Sequence, residues 1–317
     1  MSGAARSVRI RVPASTANLG PGFDSIGLAL GLWDEYVATA LDRPALEVSV
    51  TGEAAADVPT DESHLVVRTM RHTWRTLGVP APAGLRLDAC NGVPHGRGLG
   101  SSATAIVAGV VAAQALSYAA ELAPGAEVPL DLEVTSHIAS VLEGHPDNAS
   151  ASVYGGLTVS WMPDGSGLDV GEVTVTARPV LHPEVDVVVF VPEAQLATQH
   201  ARSVLPTSVP LRDAAANSGR AALLVHALTA EPQHLHAATR DWLHQEPRRA
   251  AYPESMGLVD ALRAEGHAAV ISGAGPTVLV LTTRDRADQV VVPARRGSWD
   301  RCTPGIPGAG VSAVLAD

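Results

Sequence analysis

A glycine-rich stretch that runs straight into an uncharged segment constrains this chain more than any other feature. Gly96, Gly98 and Gly100 alternate with Arg97 and Leu99, and Ser101 and Ser102 then open the run SSATAIVAGVVAAQALSYAA. About 20 uncharged residues could cross a bilayer. This run, however, is rich in small residues, contains Ser, Thr and Gln, and has no Arg cluster on its far side, so it reads as a helix buried in a globular core. A glycine loop at the amino end of such a helix offers close backbone approach, unpaired N–H groups and the positive end of a dipole. Phosphate binding and a plain tight loop with a serine N-cap both fit that pattern at this point.

Composition narrows the partners. A chain of 317 residues suggests two domains at about 100–200 residues each. With 46% hydrophobic and 17% charged residues it can build a core, and with only 3% aromatics that core must be Ala, Val and Leu. A net charge of -11 argues against a general nucleic-acid or anionic-membrane binder. All 22 basic residues are Arg, which excludes a P-loop lysine, a kinase strand lysine and a pyridoxal Schiff base. Cys90 and Cys302 form no metal-ligand spacing and fit a reducing compartment. The stretch Met1 to Val8 has no apolar core resembling a signal peptide, so a cytoplasmic chain is expected.

Periodicity predicts strands at Ser7 to Val12, Tyr36 to Ala40, around Leu85 and Leu87, and at Leu157 to Trp161, Val185 to Val191, Ala268 to Ile271 and Val278 to Leu281. Helices are predicted from Asp61 through Val66, Met70 and Trp74, closed by Gly78, and over Leu132 to Leu142, Asp213 to Leu228, Gln233 to Leu243 and Leu258 to Arg263. The mixture lacks the alternation of a doubly wound sheet, so the expected class is α+β. The loop PDGSG, Pro163 to Gly167, is the candidate boundary between an N-terminal part, 1–165, and a C-terminal part, 166–317.

Two further loops share the small-residue character: NLGPGFDS, Asn18 to Ser25, and SGAGPT, Ser272 to Thr277. Together with VPHGRGLGSSAT, Val93 to Thr104, and with EGHPDN followed by Tyr154-Gly155-Gly156, they stand in the order found in the GHMP kinases. The opening VPASTANLGPGFDSIGLAL resembles the homoserine kinases of that family in particular.

The resemblance implies a two-domain GHMP kinase fold, with an N-terminal half like ribosomal protein S5 domain 2 and a C-terminal ferredoxin-like α/β sandwich. It implies transfer of the γ-phosphoryl of ATP to the side-chain hydroxyl of L-homoserine, a step of threonine biosynthesis, with Mg²⁺ as cofactor and a homodimer as the working form. Pro94, His95, Gly96, Arg97, Gly98, Leu99, Gly100, Ser101, Ser102 and Ala103 should then wrap the triphosphate. Glu143 and Ser102 should hold Mg²⁺; if spacing were kept without a gap, the Glu143 role would fall on His137, a poor ligand for that ion. Asn18 and Asp24 should face the substrate ammonium, and Thr198, Arg202 and Arg248 its carboxylate, with Arg249 competing for the last place. His145, Asn148 and Gly275 complete the substrate set. Asn148 cannot accept a proton, so Asn148, Glu143 and Ser102 are expected to act by positioning and electrostatics, and Asp147 by capping. Another small alcohol as substrate, or a silent nucleotide sensor on the same fold, are the competing readings.

Overall fold

One long hairpin organises the first half of the chain. In the computed structural model, which describes residues 6–118, 122–162, 173–292 and 298–316, β1 (Ser7–Asn18) runs antiparallel to β2 (Gly22–Leu41), with register shifts at Pro13/Ala14 and Ala17/Asn18. The first sheet has the order β11-β1-β2-β4-β3, adding β3 (Leu46–Gly52), β4 (Gly84–Asn91) and β11 (Ser312–Leu315). The far end of β2 pairs with β5 (Leu157–Trp161), which in turn pairs with β6 (Val175–Ala177). The second sheet is antiparallel, β10-β7-β9-β8, from β7 (Val185–Pro192), β8 (Ala268–Ile271), β9 (Val278–Thr283) and β10 (Trp299–Cys302).

Helices cover both sheets. α1 (Leu65–Leu77), α2 (Ser101–Tyr118), α3 (Leu132–Glu143) and α4 (Asp147–Tyr154) belong to the first half. α5 (Thr198–Ser203), α6 (Leu211–Thr229), α7 (Leu235–Ala238) and α8 (Pro253–Ala264) belong to the second. The expected α+β class therefore holds. α2 carries no charge because it is enclosed: 67% of it is buried, against the hairpin, α1, α3 and α4. Gly109 lets α1 approach, since a Cβ there would lie 2.6 Å from that of Thr69. β7 is apolar because both its faces are covered: Val187 and Val189 pack toward the first sheet and α6, while Val188 and Phe190 pack toward α8.

Several elements depart from the sequence reading. The helix expected over 233–243 ends at Ala238, because Asp241 accepts the N–H groups of Leu243, His244 and Gln245 and turns the chain. α4, α5, β3, β6, β10 and β11 are additional to the elements that periodicity predicts. The boundary expected at 165/166 lies outside the described residues, and the first sheet also draws β6 and β11 from the chain beyond it.

Candidate active site

The glycine loop descends from β4 and turns into α2 with Gly96, Gly98 and Gly100 all at positive φ, 65°, 74° and 74°. A Cβ on Gly98 would lie 2.3 Å from the Ser272 carbonyl oxygen, and one on Gly100 would lie 2.3 Å from Ser15 Oγ. The loop start is held by Asp34, a buried carboxylate that accepts the N–H groups of Gly92 and Val93 at 2.9 Å and the Thr104 hydroxyl. Nothing in the local sequence singles out Asp34; its role depends on contacts 58 and 70 residues away.

This loop, the turn after β1, the start of α4, α5 and the loop 272–277 line a cleft open to solvent, with a volume of about 160 Å³. The cleft brings together Asn18, Asp24, Gly96, Gly98, Gly100, Ser101, Ser102, Glu143, His145, Asn148, Thr198, Arg202 and Arg248. Ala17, Phe23, Asp147, Leu196, Ala197, Gly273 and Ala274 also line it, and the sequence had not marked them as site residues. Pro94, His95, Arg97, Leu99, Ala103 and Gly275 do not line it. Leu99 and Ala103 point into the core. Gly275 packs against Tyr252 and Ile271, and the cleft is met by Gly273 and Ala274 instead. Arg97 is a strut: Nε donates to Pro192 O at 2.8 Å, Nη1 to His95 O at 3.1 Å and Nη2 to Glu193 O at 3.0 Å.

Charge is arranged in three groups. First, Arg202 makes a two-pronged bridge to Asp24, at 2.6 and 3.2 Å. Arg248, only 1% exposed, has no carboxylate within 4.0 Å among the described residues; its Nε donates to Ala201 O at 2.8 Å. Its neighbour Arg249 is bound on the surface to Glu246 and Asp260. Asn18 ties the turn together, donating to Gly273 O and accepting the Asp24 N–H, each at 3.0 Å. Asn18, Leu19 and Asp24 hold positive φ, strain of the kind that collects at binding loops.

Second, the Ser102 hydroxyl donates to Glu143 Oε2 at 2.9 Å. Burial raises the Glu143 pKa, only partly offset by His145 and the Ser102 bond. A half-buried carboxylate beside a hydroxyl at the amino end of a helix is a hard oxygen donor set suited to Mg²⁺. His137 lies elsewhere, with Nδ1 accepting the Thr174 N–H at 3.1 Å.

Third, His145 Nδ1 and Asp147 Oδ1 are 2.8 Å apart, and the same oxygen accepts the Asn148 N–H at 2.7 Å. Burial alone would lower the His145 pKa, but the bond to Asp147 and the charges of Asp147 and Glu143 outweigh it, and the net shift is upward. Asp147 thus orients His145 as well as standing in the first turn of α4. Ser152 donates to Ser15, and Ser15 donates to Asn148 Oδ1 at 3.0 Å. That relay fixes the amide, leaving the Asn148 NH₂ as the group free to donate elsewhere.

Known proteins match the chain over most of its length. The family models described as GHMP kinases N terminal domain and GHMP kinases C terminal match residues 64–156 and 220–296. The homoserine kinase of Streptomyces coelicolor is 49% identical over 286 residues, 90% of this chain and 88% of that protein. The homoserine kinase of Cutibacterium acnes is 50% identical over 285 residues, 90% of this chain and 92% of that protein. The crystal structure of homoserine kinase from Cytophaga hutchinsonii superposes with a TM-score of 0.81, covering 99% of each chain at 22% identity, a likeness of fold.

Proposed function

The chain belongs to the GHMP kinases, and from that premise we infer that it phosphorylates the side-chain hydroxyl of L-homoserine with ATP, giving O-phospho-L-homoserine. The observation that carries this reading is Arg248, a buried cation without a carboxylate partner among the described residues, in the same cleft as the glycine loop. A buried charge needs a partner. An amino-acid carboxylate supplies one, and the Asp24 carboxylate supplies the counterpart for its ammonium. Asn18, Thr198 and Arg202 complete that recognition.

Gly96, Gly98, Gly100, Ser101 and Ser102 hold the triphosphate through main-chain N–H groups, hydroxyls and the amino end of α2. Glu143 and Ser102 would hold Mg²⁺, which when bound would offset phosphate charge. The Asn148 NH₂ and His145 aim donors at the reacting oxygens. Asp147 and Glu143 shift the His145 equilibrium toward the protonated form, in which its outer ring nitrogen donates. No side-chain base is then required: alignment and electrostatics lower the barrier, and the hydroxyl proton leaves to a phosphoryl oxygen or solvent. We expect a cytoplasmic homodimer. ADP release measured side by side with L-homoserine, L-serine, mevalonate and galactose tests the reading. Turnover on mevalonate and none on homoserine overturns it.

A further inference from the structure

Arg248 does not stand alone. Its Nη1 lies 3.2 Å from Nδ1 of His244, whose Nε2 lies 2.7 Å from the Gly20 carbonyl oxygen. A carbonyl only accepts, so Nε2 carries the hydrogen and Nδ1 is left as an acceptor for the guanidinium. The His244 ring is fully buried and stacks on Phe23, with centroids 5.1 Å apart and 23° between planes. Phe23 in turn faces both guanidinium carbons, at 5.7 Å for Arg202 and 5.6 Å for Arg248. One neutral imidazole thus links the turn after β1, the aromatic ring between the two arginines and the fork of the unpaired one.

We propose that His244 is a positioning residue, touching no substrate, whose Nε2–H tautomer sets the Arg248 fork and so the grip on the substrate carboxylate. Asp241, Arg248 and Asp24 are the charged groups around it. Asp241 lies 3.6 Å from Nε2, but its carboxylate accepts the N–H groups of Leu243, His244 and Gln245. Burial lowers the His244 pKa, and the neutral ring is the form that can accept from Arg248. A protonated ring would present a second cation to the guanidinium and remove its acceptor.

This inference rests on the amino-acid-kinase reading, and its test separates the two. His244→Gln keeps a donor for Gly20 but places no acceptor at the Nδ1 position. It should raise KM for L-homoserine about tenfold, with KM for ATP and kcat within about twofold. His244→Asn restores an acceptor near the Nδ1 position and should recover most of the loss. An unchanged KM for homoserine, equal rises in both KM values, or no recovery with Asn overturns the proposal. Nitrogen-15 NMR of the wild-type imidazole gives a second readout that does not depend on a variant folding. A protonated Nε2 with a bare Nδ1 at neutral pH is expected, and an Nδ1–H tautomer or a doubly protonated ring overturns it. Absence of any homoserine turnover by the wild type would instead sink the functional reading, while the tautomer would still report on the Arg248 contact.

Discussion

Arg248 and Arg249 are adjacent in the chain, yet one is buried in the cleft and the other is bound to Glu246 and Asp260 on the surface. Arg248→Ala should raise KM for L-homoserine on the order of a hundredfold and leave KM for ATP unaltered. Arg249→Ala should change stability by no more than about 1 kcal/mol and leave both constants alone. Glu143 carries the next test. Its pKa is raised by burial, so in metal-free protein the stability it contributes is present at low pH and is lost as pH rises through the raised value. Glu143→Gln should therefore raise the Tm of metal-free protein at pH 8 relative to wild type, with the gain shrinking toward pH 4. It should also cut kcat on the order of a hundredfold and abolish the response to Mg²⁺. His145, its pKa raised, predicts a kcat/KM that declines on the alkaline side as the donor is lost; a base would instead produce an acid limb. His145→Gln should flatten that decline. The sequence offered Glu143, His145, Arg202 and Arg248 through their motifs, but could not separate Arg248 from Arg249, because burial is a property of the packed neighbourhood and both arginines precede the same Tyr-Pro pair. Family likeness assigns Arg97 to phosphate; a cation in a glycine loop looks free in the sequence, whereas in the fold its guanidinium meets three carbonyls, two of them at the end of β7.

At the level of elements, the glycine loop makes the sharpest prediction, because its glycines are not equivalent. Gly98 and Gly96 both hold positive φ, but a Cβ on Gly98 would meet Ser272 and Gly275 backbone within 2.9 Å. On Gly96 the nearest atoms belong to the Gln195 side chain, at 3.4 Å or more, and that side chain can yield. Gly96→Ala should cost about 1 kcal/mol in thermal or urea unfolding and alter KM for ATP only a few-fold. Gly98→Ala should weaken ATP binding on the order of a hundredfold by forcing the loop away from 272–277. Calorimetric titration with an ATP analogue separates the two. Strong local signals carried over well: α1 ends at Gly78 in the left-handed conformation, and β7 runs as an apolar strand. α4 follows directly on the motif EGHPDN without an apolar period of its own, and its helicity comes from packing against β1, β2 and α3. The overlong helix after Gln233 had an apolar pattern, but Asp241 offered the backbone a competing set of acceptor oxygens. β3 has a short alternation in Leu46, Val48 and Val50, and its parallel partner β4 is what holds it.

The cleft belongs to the whole molecule rather than to either half. Gly273 N–H donates to Ala17 O, the Ser272 hydroxyl donates to Gly98 O, Thr277 N–H donates to Arg97 O and Leu196 N–H donates to Gly96 O. The final strand adds a longer tie, β11 pairing with β1 and placing Ala313 and Leu315 in the first core. A four-residue strand meeting a partner about 300 residues away leaves no local pattern, so the topology could be reached from family likeness but not from periodicity. Arg97 tests the joint between the halves. If its charge gripped phosphate, Arg97→Lys would preserve ATP affinity, since an ammonium is a competent phosphate partner. As a strut it must span three carbonyls with a planar fork, which a single ammonium on a flexible stem cannot reproduce. Arg97→Lys should then raise KM for ATP about tenfold and lower stability by about 1–3 kcal/mol in urea unfolding, with little change in KM for homoserine. Retained ATP affinity in the Lys variant would return Arg97 to the phosphate, with the loop 272–277, the tail strand, the Leu196–Gly96 bond and the Arg202–Asp24 bridge still joining the two halves.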